Sequence, residues 1–270
     1  MSRYPLPKQH TGFTLVELVM VIVLLGIVSV ASTQFIHTSV GIYVDSTRRD
    51  ELQQIARFAN ERVSRELRNA LPGSVRANGN CLEFVPIKAA STYLTRVSDS
   101  AITSFQAVDF AVPPLPYRVA IYTLDQFDVY NSDPNAIASI APIIDPVEEN
   151  ERTIFLITAH QFENESPNQR FYLINERVSF CAAVDGELTR YSGYTVDGQA
   201  QVLPNAHGGT KSLVAEHIRL NDNGPVNVFT FNPGTLQRSG VVHMDFRFSH
   251  SSEPDEWLRM SQDVFLRNTP

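Results

Sequence analysis

From Phe13 to Ala31 the chain reads FTLVELVMVIVLLGIVSVA, 19 residues with a single charge, Glu17. As a helix this stretch would be about 28 Å long, close to the ~30 Å hydrocarbon core of a bilayer. A second helical pattern follows without a break. Leu52, Ile55, Ala56, Ala59, Val63, Leu67 and then Ala70 or Leu71 recur at steps of three and four, while Arg48, Arg49, Gln53, Arg57, Glu61, Arg62, Arg65 and Glu66 fill the other faces. Between Phe13 and Leu71 there is no proline. The pattern predicts one helix from Phe13 to Ala70, about 87 Å long, whose first half is apolar all round and whose second half packs one stripe on a globular head. Arg57 with Glu61, Glu61 with Arg65 and Arg62 with Glu66 stand at i,i+4, each adding only about 0.2–0.5 kcal/mol, so the stripe needs a packing partner. The LPG triplet at 71–73 ends the helix, since proline disfavours helix in the residue before it and glycine suits the exit.

Beyond Pro72 the pattern changes to short runs rich in Val, Ile, Phe, Tyr and Thr, punctuated by Pro, Gly, Asn and Asp. Strands are predicted near 82–87, 104–110, 117–123, 152–158, 170–174, 177–184, 187–191, 212–220, 226–231, 241–249 and 262–267. In 241–249, Val242, Met244, Phe246 and Phe248 alternate with Val241, His243, Asp245 and Arg247, which predicts one buried and one exposed face. NDNG at 221–224 reads as a hairpin turn, and the proline-rich, acid-ended 131–151 reads as a long exposed excursion that leaves room for a domain boundary. The expected fold class is α+β, a long N-terminal α-helix packed on a mainly antiparallel β head.

Charge is unevenly placed. The formal net charge is −7, from 22 basic and 29 acidic residues. Residues 1–12 carry Arg3 and Lys8 with no acid, residues 13–70 balance six of each sign, and the remainder holds 14 basic against 23 acidic groups. An acidic body without a basic, aromatic-interleaved cluster argues against a nucleic-acid partner. The positive-inside rule places residues 1–12 in the cytoplasm and everything after the span on the far side. Cys81 and Cys181 each flank a strand-like run; they are either two buried thiols or a disulfide, and export to an oxidising compartment favours the bond.

A cleavable secretory signal, ending near Ser29-Val30-Ala31, is the competing reading of the N-terminus, and would make the chain a secreted or membrane-anchored periplasmic binding protein or adhesin. Two features oppose it. Glu17 costs about 2.5–3.5 kcal/mol inside an apolar helix on the insertion scale and marks function there. The helical pattern also continues past the apolar run instead of giving way to a loop.

At TGFTLVELVMVIVLLGIVSVA the sequence resembles type IV prepilins and type II secretion pseudopilins, through Gly12 before Phe13, then Thr14, Leu15, Glu17 and an unbroken apolar helix. The runs NGNCLEFVPI, ESPNQRFYLINERVSFCAAVDGELTRYSGY and DVFLRNTP are similar to large minor pilins and J-type pseudopilins. The resemblance implies a prepilin leader at 1–12, cleavage by prepilin peptidase between Gly12 and Phe13, N-methylation of Phe13, and a role for Glu17 in assembly register. It also implies a membrane and assembly helix at 13–31, an amphipathic helix at 32–71 and a periplasmic head at 72–270. The partners it implies are other major and minor pilins and the inner-membrane assembly platform, with the subunit held in the inner membrane before entering a pilus at or near the tip. The chemistry is consistent: cleavage would leave an ammonium at Phe13, and a Glu17 buried in lipid would gain most by pairing with the ammonium of a neighbouring subunit.

The head offers no enzymatic signature. None of the chain's seven histidines lies in an HExxH, HxH or Cys-His pattern, and HGG at 207–209 lacks an accompanying G-x-S-x-G. His243 and Asp245, at i,i+2 on one strand face, suit an exposed face better than a metal or acid–base pair. Asp125, Asp128, Asn131, Asp133 and Asn135 are oxygen-rich, and Asp125, Asp128 and Asp133 are weak calcium candidates without EF-hand spacing. No cofactor is expected, and the chain reads as a non-catalytic subunit.

Overall fold

A computed structural model describes residues 12–112, 116–131, 136–144, 150–194, 209–221, 224–234, 238–250 and 256–266. Backbone contacts divide the chain into two compact units, Met1–Glu51 and Leu52–Pro270. In chain order the elements are α1 (Leu15–Leu67), β1 (Arg76–Asn78), β2 (Cys81–Phe84), β3 (Ala89–Thr92), β4 (Ile102–Val108), β5 (Arg118–Ala120), α2 (Gln126–Tyr130), β6 (Ile137–Ile144) and β7 (Glu151–His160). They continue with β8 (Arg170–Ile174), β9 (Arg177–Ala182), β10 (Leu188–Tyr194), β11 (Thr210–Ala215), β12 (Phe229–Asn232), β13 (Val241–Ser249) and β14 (Trp257–Phe265). The chain is α+β, a long apolar N-terminal helix followed by mainly antiparallel sheets.

In the second unit α1 buries Leu52, Ala56, Ala59, Val63, Ser64 and Leu67, with Ile55 partly covered. Each large member of this stripe contributes about 1.5–3 kcal/mol by leaving water. α1 ends at Leu67, three residues short of the expected Ala70, because tertiary pairing outcompetes the last turn. Asn69 exchanges backbone and side-chain hydrogen bonds with Ile87, Ala70 bridges to Pro86, and the Leu71 N–H donates to the Val85 carbonyl at 2.8 Å. Gly73 then turns the chain at φ +77°, where a Cβ would stand 2.8 Å from the Asp125 nitrogen, so only glycine fits both the dihedral and the close approach.

Two sheets share the core around this stripe. The first runs β1-β2-β9-β10-β11 and the second β12-β13-β14, all antiparallel. One face of the first sheet supplies Leu82, Phe84, Val178 and Phe180; the inner face of the second supplies Phe229, Val242, Met244, Phe246 and Phe248. Phe229 and Phe246 meet edge to face with centroids 5.7 Å apart. Polar ties reach the helix as well: Arg190 of β10 bonds Glu66 at 2.9 Å, and Gln262 of β14 bonds Asn60 and Ser64.

The third sheet, β3-β8-β5-β6-β7-β4, is closed into a small barrel. Its outer strands meet where Tyr93 bridges to Ala107 and the Leu94 N–H donates to the Gln106 carbonyl at 2.7 Å. Phe105, Val119, Ile154, Phe171 and Leu173 fill the interior. On the outer side Ala120, Ile137, Tyr172 and Ile174 pack with Leu71, Val85, Val129 and Tyr130. Strands buried on both sides explain the uninterrupted apolar run FYLI of β8.

The barrel corrects the reading of 131–151 as an exposed excursion. β6 occupies Ile137–Ile144 in the middle of the sheet, so no domain boundary falls there. Its register against β7 shifts between Ile140 and Ile144, around Pro142, which has no N–H to give the ladder. β1, β3 and α2 likewise went unpredicted; each is five residues or fewer.

Candidate processing and assembly site

Gly12, Phe13 and Thr14 lead into α1, and Phe13 is 78% exposed. The Thr14 hydroxyl accepts the Glu17 N–H at 3.2 Å, and the Leu18 N–H donates to the Thr14 carbonyl at 3.2 Å. Thr14 therefore starts the helix as its cap, leaving Phe13 just outside it and Glu17 in its first turn. Gly12 has no steric duty among the described residues: nothing lies within 4 Å of where a Cβ would stand.

Every described side chain from Leu15 to Val44 is exposed, including Phe35, Ile36, Val40, Ile42 and Tyr43 beyond the predicted span. α1 is long and apolar enough to cross a membrane, and its most apolar 18-residue stretch is buried nowhere. Four of its hydroxyls are satisfied within the helix. Ser29, Thr33, Thr38 and Thr47 donate to the carbonyls of Leu25, Ser29, Gln34 and Tyr43, at 2.7–3.0 Å, which lowers the cost of placing them in an apolar surrounding. Glu17 is exposed, a carboxylate on an otherwise apolar first turn.

Residues 7–33 match the prokaryotic N-terminal methylation motif. The match supports a type IV pilin-like protein. Such a motif implies processing by prepilin peptidase and association with other pilins, and the apolar helix that carries it fits membrane anchoring. No curated protein and no solved structure matches the chain.

In the β-rich head Cys81 and Cys181 are bonded, register partners on β2 and β9 with Cα atoms 4.1 Å apart. In the oxygen-rich loop Asp125 and Asp128 cap α2. The Asp125 carboxylate accepts the N–H groups of Phe127 and Asp128 at 2.8 and 3.2 Å, and Asp128 returns the bond to the Leu124 and Asp125 N–H groups. Burial, with the neighbouring charges of Asp125 and Glu163 adding to it, holds the Asp128 carboxyl above its ordinary range, against the lowering by the Leu124 N–H. Asp133 and Asn135 lie outside the described residues, as do His207 and Gly208. No group of three or more metal-ligating side chains occurs among the described residues.

His243 and Asp245 are not a pair, and Asp245 is buried where an exposed face was expected. His243 bonds Asp263 across the β13–β14 ladder at 2.6 Å, whereas Asp245 takes a two-pronged bond from Arg259 at 2.7 and 3.1 Å. Burial pushes Asp245 up, but the hydrogen bonds from Arg259 and Arg247 outweigh it and hold the carboxyl below its usual value. Both ties are cross-strand side-chain pairs of the β13–β14 ladder.

The cluster that sequence reading missed lies on the first sheet, on the face turned away from α1. Glu83, wholly buried, is bonded by Arg76 from the neighbouring strand and by the Tyr194 hydroxyl at 3.1 Å; Arg177 stands 3.9 Å away. Tyr130 of α2 lies over them, 3.8 Å from the Arg76 guanidinium carbon, and donates to the Ser74 carbonyl at 2.6 Å. Burial draws the Arg177 guanidinium down from its ordinary value while Glu83 opposes this, and burial beside Glu83 pushes the Tyr194 phenol up. The only sequence signal was a glutamate and two arginines at the edges of apolar runs.

Proposed function

We propose that the chain is a minor type IV pilin-like subunit, non-catalytic, that takes part in initiating pilus assembly within a tip complex after prepilin peptidase removes residues 1–12. The observation that carries the reading is the first turn of α1, a glycine with no packing role, then Phe13, then a lone carboxylate four residues on at the head of an exposed apolar helix. Phe13 becomes the methylated N-terminus, 13–31 anchors the subunit in the inner membrane, and the head stands in the periplasm, where the Cys81–Cys181 bond is chemically at home. After assembly, Glu17 faces the ammonium of a neighbouring subunit and fixes axial register. The prepilin peptidase, major and minor pilins and the inner-membrane platform are the partners. The large head favours a minor role near the tip, and its sequence runs liken it to the O-type component of mannose-sensitive haemagglutinin pilus biogenesis.

Gly12→Ala tests the reading without disturbing the fold, since the site is open around Gly12. The variant is expected to accumulate as uncut precursor in the membrane fraction and to be missing from sheared filaments, while native protein is present in them. Wild-type processing of the alanine variant, together with absence of the native chain from filaments, would contradict the proposal.

A further inference from the structure

β2 and β9 pair continuously, from Cys81 opposite Cys181 to Phe84 opposite Val178, although β3 through β8 all lie between them in sequence. The barrel is therefore an insertion between two adjacent strands of a sheet that is complete without it. It has its own closure and its own interior. Where it meets the rest, the contact has a charged centre of Arg76, Glu83 and Arg177 beneath Tyr130, rimmed by apolar groups such as Val85 and Ile174. Charged residues opposite a helix-packed face are what a sheet presents to water, so the barrel covers a face built for solvent.

Charge divides along the same line. Residues 89–174 hold 11 of the 29 acidic and four of the 22 basic residues, leaving 18 of each sign in the rest, so the insertion accounts for the whole formal charge of −7. Removal of residues 1–12 takes Arg3 and Lys8 from the 18 basic residues and leaves 16 against 18 acidic, so the scaffold stays close to neutral and packs against other subunits with little like-charge repulsion, whereas the barrel holds most of the negative charge.

We infer that the barrel is a separately folding module displayed by a pilin-like scaffold, and that incorporation into filaments depends on the scaffold alone. The incorporation half rests on the proposed function; the folding half does not. The test uses the full chain in detergent and in cells. Phe171, edge to face with Phe105 and Phe110 at 5.4 and 5.5 Å, is the barrel probe, and Phe246 the scaffold probe. Phe171→Ala should speed hydrogen exchange by more than about tenfold in β3–β8 while leaving β2, β9 and β13 unchanged. Filament incorporation should stay within about twofold of native, as expected for energetically independent sites. Phe246→Ala should do the reverse. Ile154→Val, a smaller interior loss, is run alongside, so that degradation of Phe171→Ala leaves the comparison intact. Faster exchange spreading equally into β9 and β13 would overturn the module. Exchange confined to the barrel with incorporation abolished would overturn the division of labour. Native chain missing from filaments would instead sink the pilin reading, with the exchange pattern still deciding the module.

Discussion

The Glu17→Ala protein is expected to enter the membrane at least as well as the native chain and yet to fall in sheared filaments by more than about tenfold. Membrane entry should not suffer, because removing a carboxylate from the first turn of the apolar helix lowers its insertion cost, by at most about 2.5–3.5 kcal/mol, what an acid costs at a helix centre. Assembly should suffer, because truncating one partner of a buried charge pair costs about 3–5 kcal/mol, and each 1.4 kcal/mol is tenfold. Glu17 also sits in the first turn of α1, where an acid steadies the helix dipole. That effect is worth about 0.3–1 kcal/mol and cannot by itself produce a tenfold loss. Fractionation and quantitative immunoblotting of sheared filaments read both arms; an alanine variant incorporated at native levels would leave Glu17 with only the helix-starting role.

Glu83→Ala should be the most damaging single change in the head. It leaves the Arg76 and Arg177 guanidiniums, both nearly inaccessible, facing each other beneath Tyr130 without the carboxylate between them. Breaking a buried pair in this way costs about 3–5 kcal/mol, which for a unit of about 200 residues lowers Tm by roughly 10 °C. Replacing the cluster together, as Arg76→Met with Glu83→Leu and Arg177→Met, should recover most of the loss, since the penalty lies in positive charge left buried without the Glu83 carboxylate. Differential scanning calorimetry of the full chain in detergent decides it. A Glu83→Ala melting point within a degree or two of native would show that water reaches the cluster and that the barrel does not seal it.

Local pattern revealed what local physics sets. The stripe from Leu52 to Leu67 is the buried face of α1, and the alternation in 241–249 put Val242, Met244, Phe246 and Phe248 inside. The two cysteines beside strand-like runs are indeed bonded. What the sequence could not disclose are the consequences of long-range pairing. CLEF reads as a strand, but that its glutamate is wholly buried depends on an insertion lying over that face. That Asp125 and Asp128 form a capping box on a five-residue helix was not legible either, because their spacing alone does not announce so short an element. Asp245 read as exposed because alternation names two faces without saying that Arg247 and Arg259 close over the second. The N-terminal segment is the opposite case. Its residues make few contacts, so their meaning lies in chemistry done to them, which the run Gly12-Phe13-Thr14-Leu15-Val16-Glu17 states more plainly than any packing.

That chemistry is tested most directly by the intact mass and N-terminal sequence of the mature protein from inner membranes and from filaments. The account predicts a chain beginning at Phe13 with one methyl group on its nitrogen and the apolar helix retained. A chain beginning at Ser32, recovered as a soluble periplasmic protein, would contradict it.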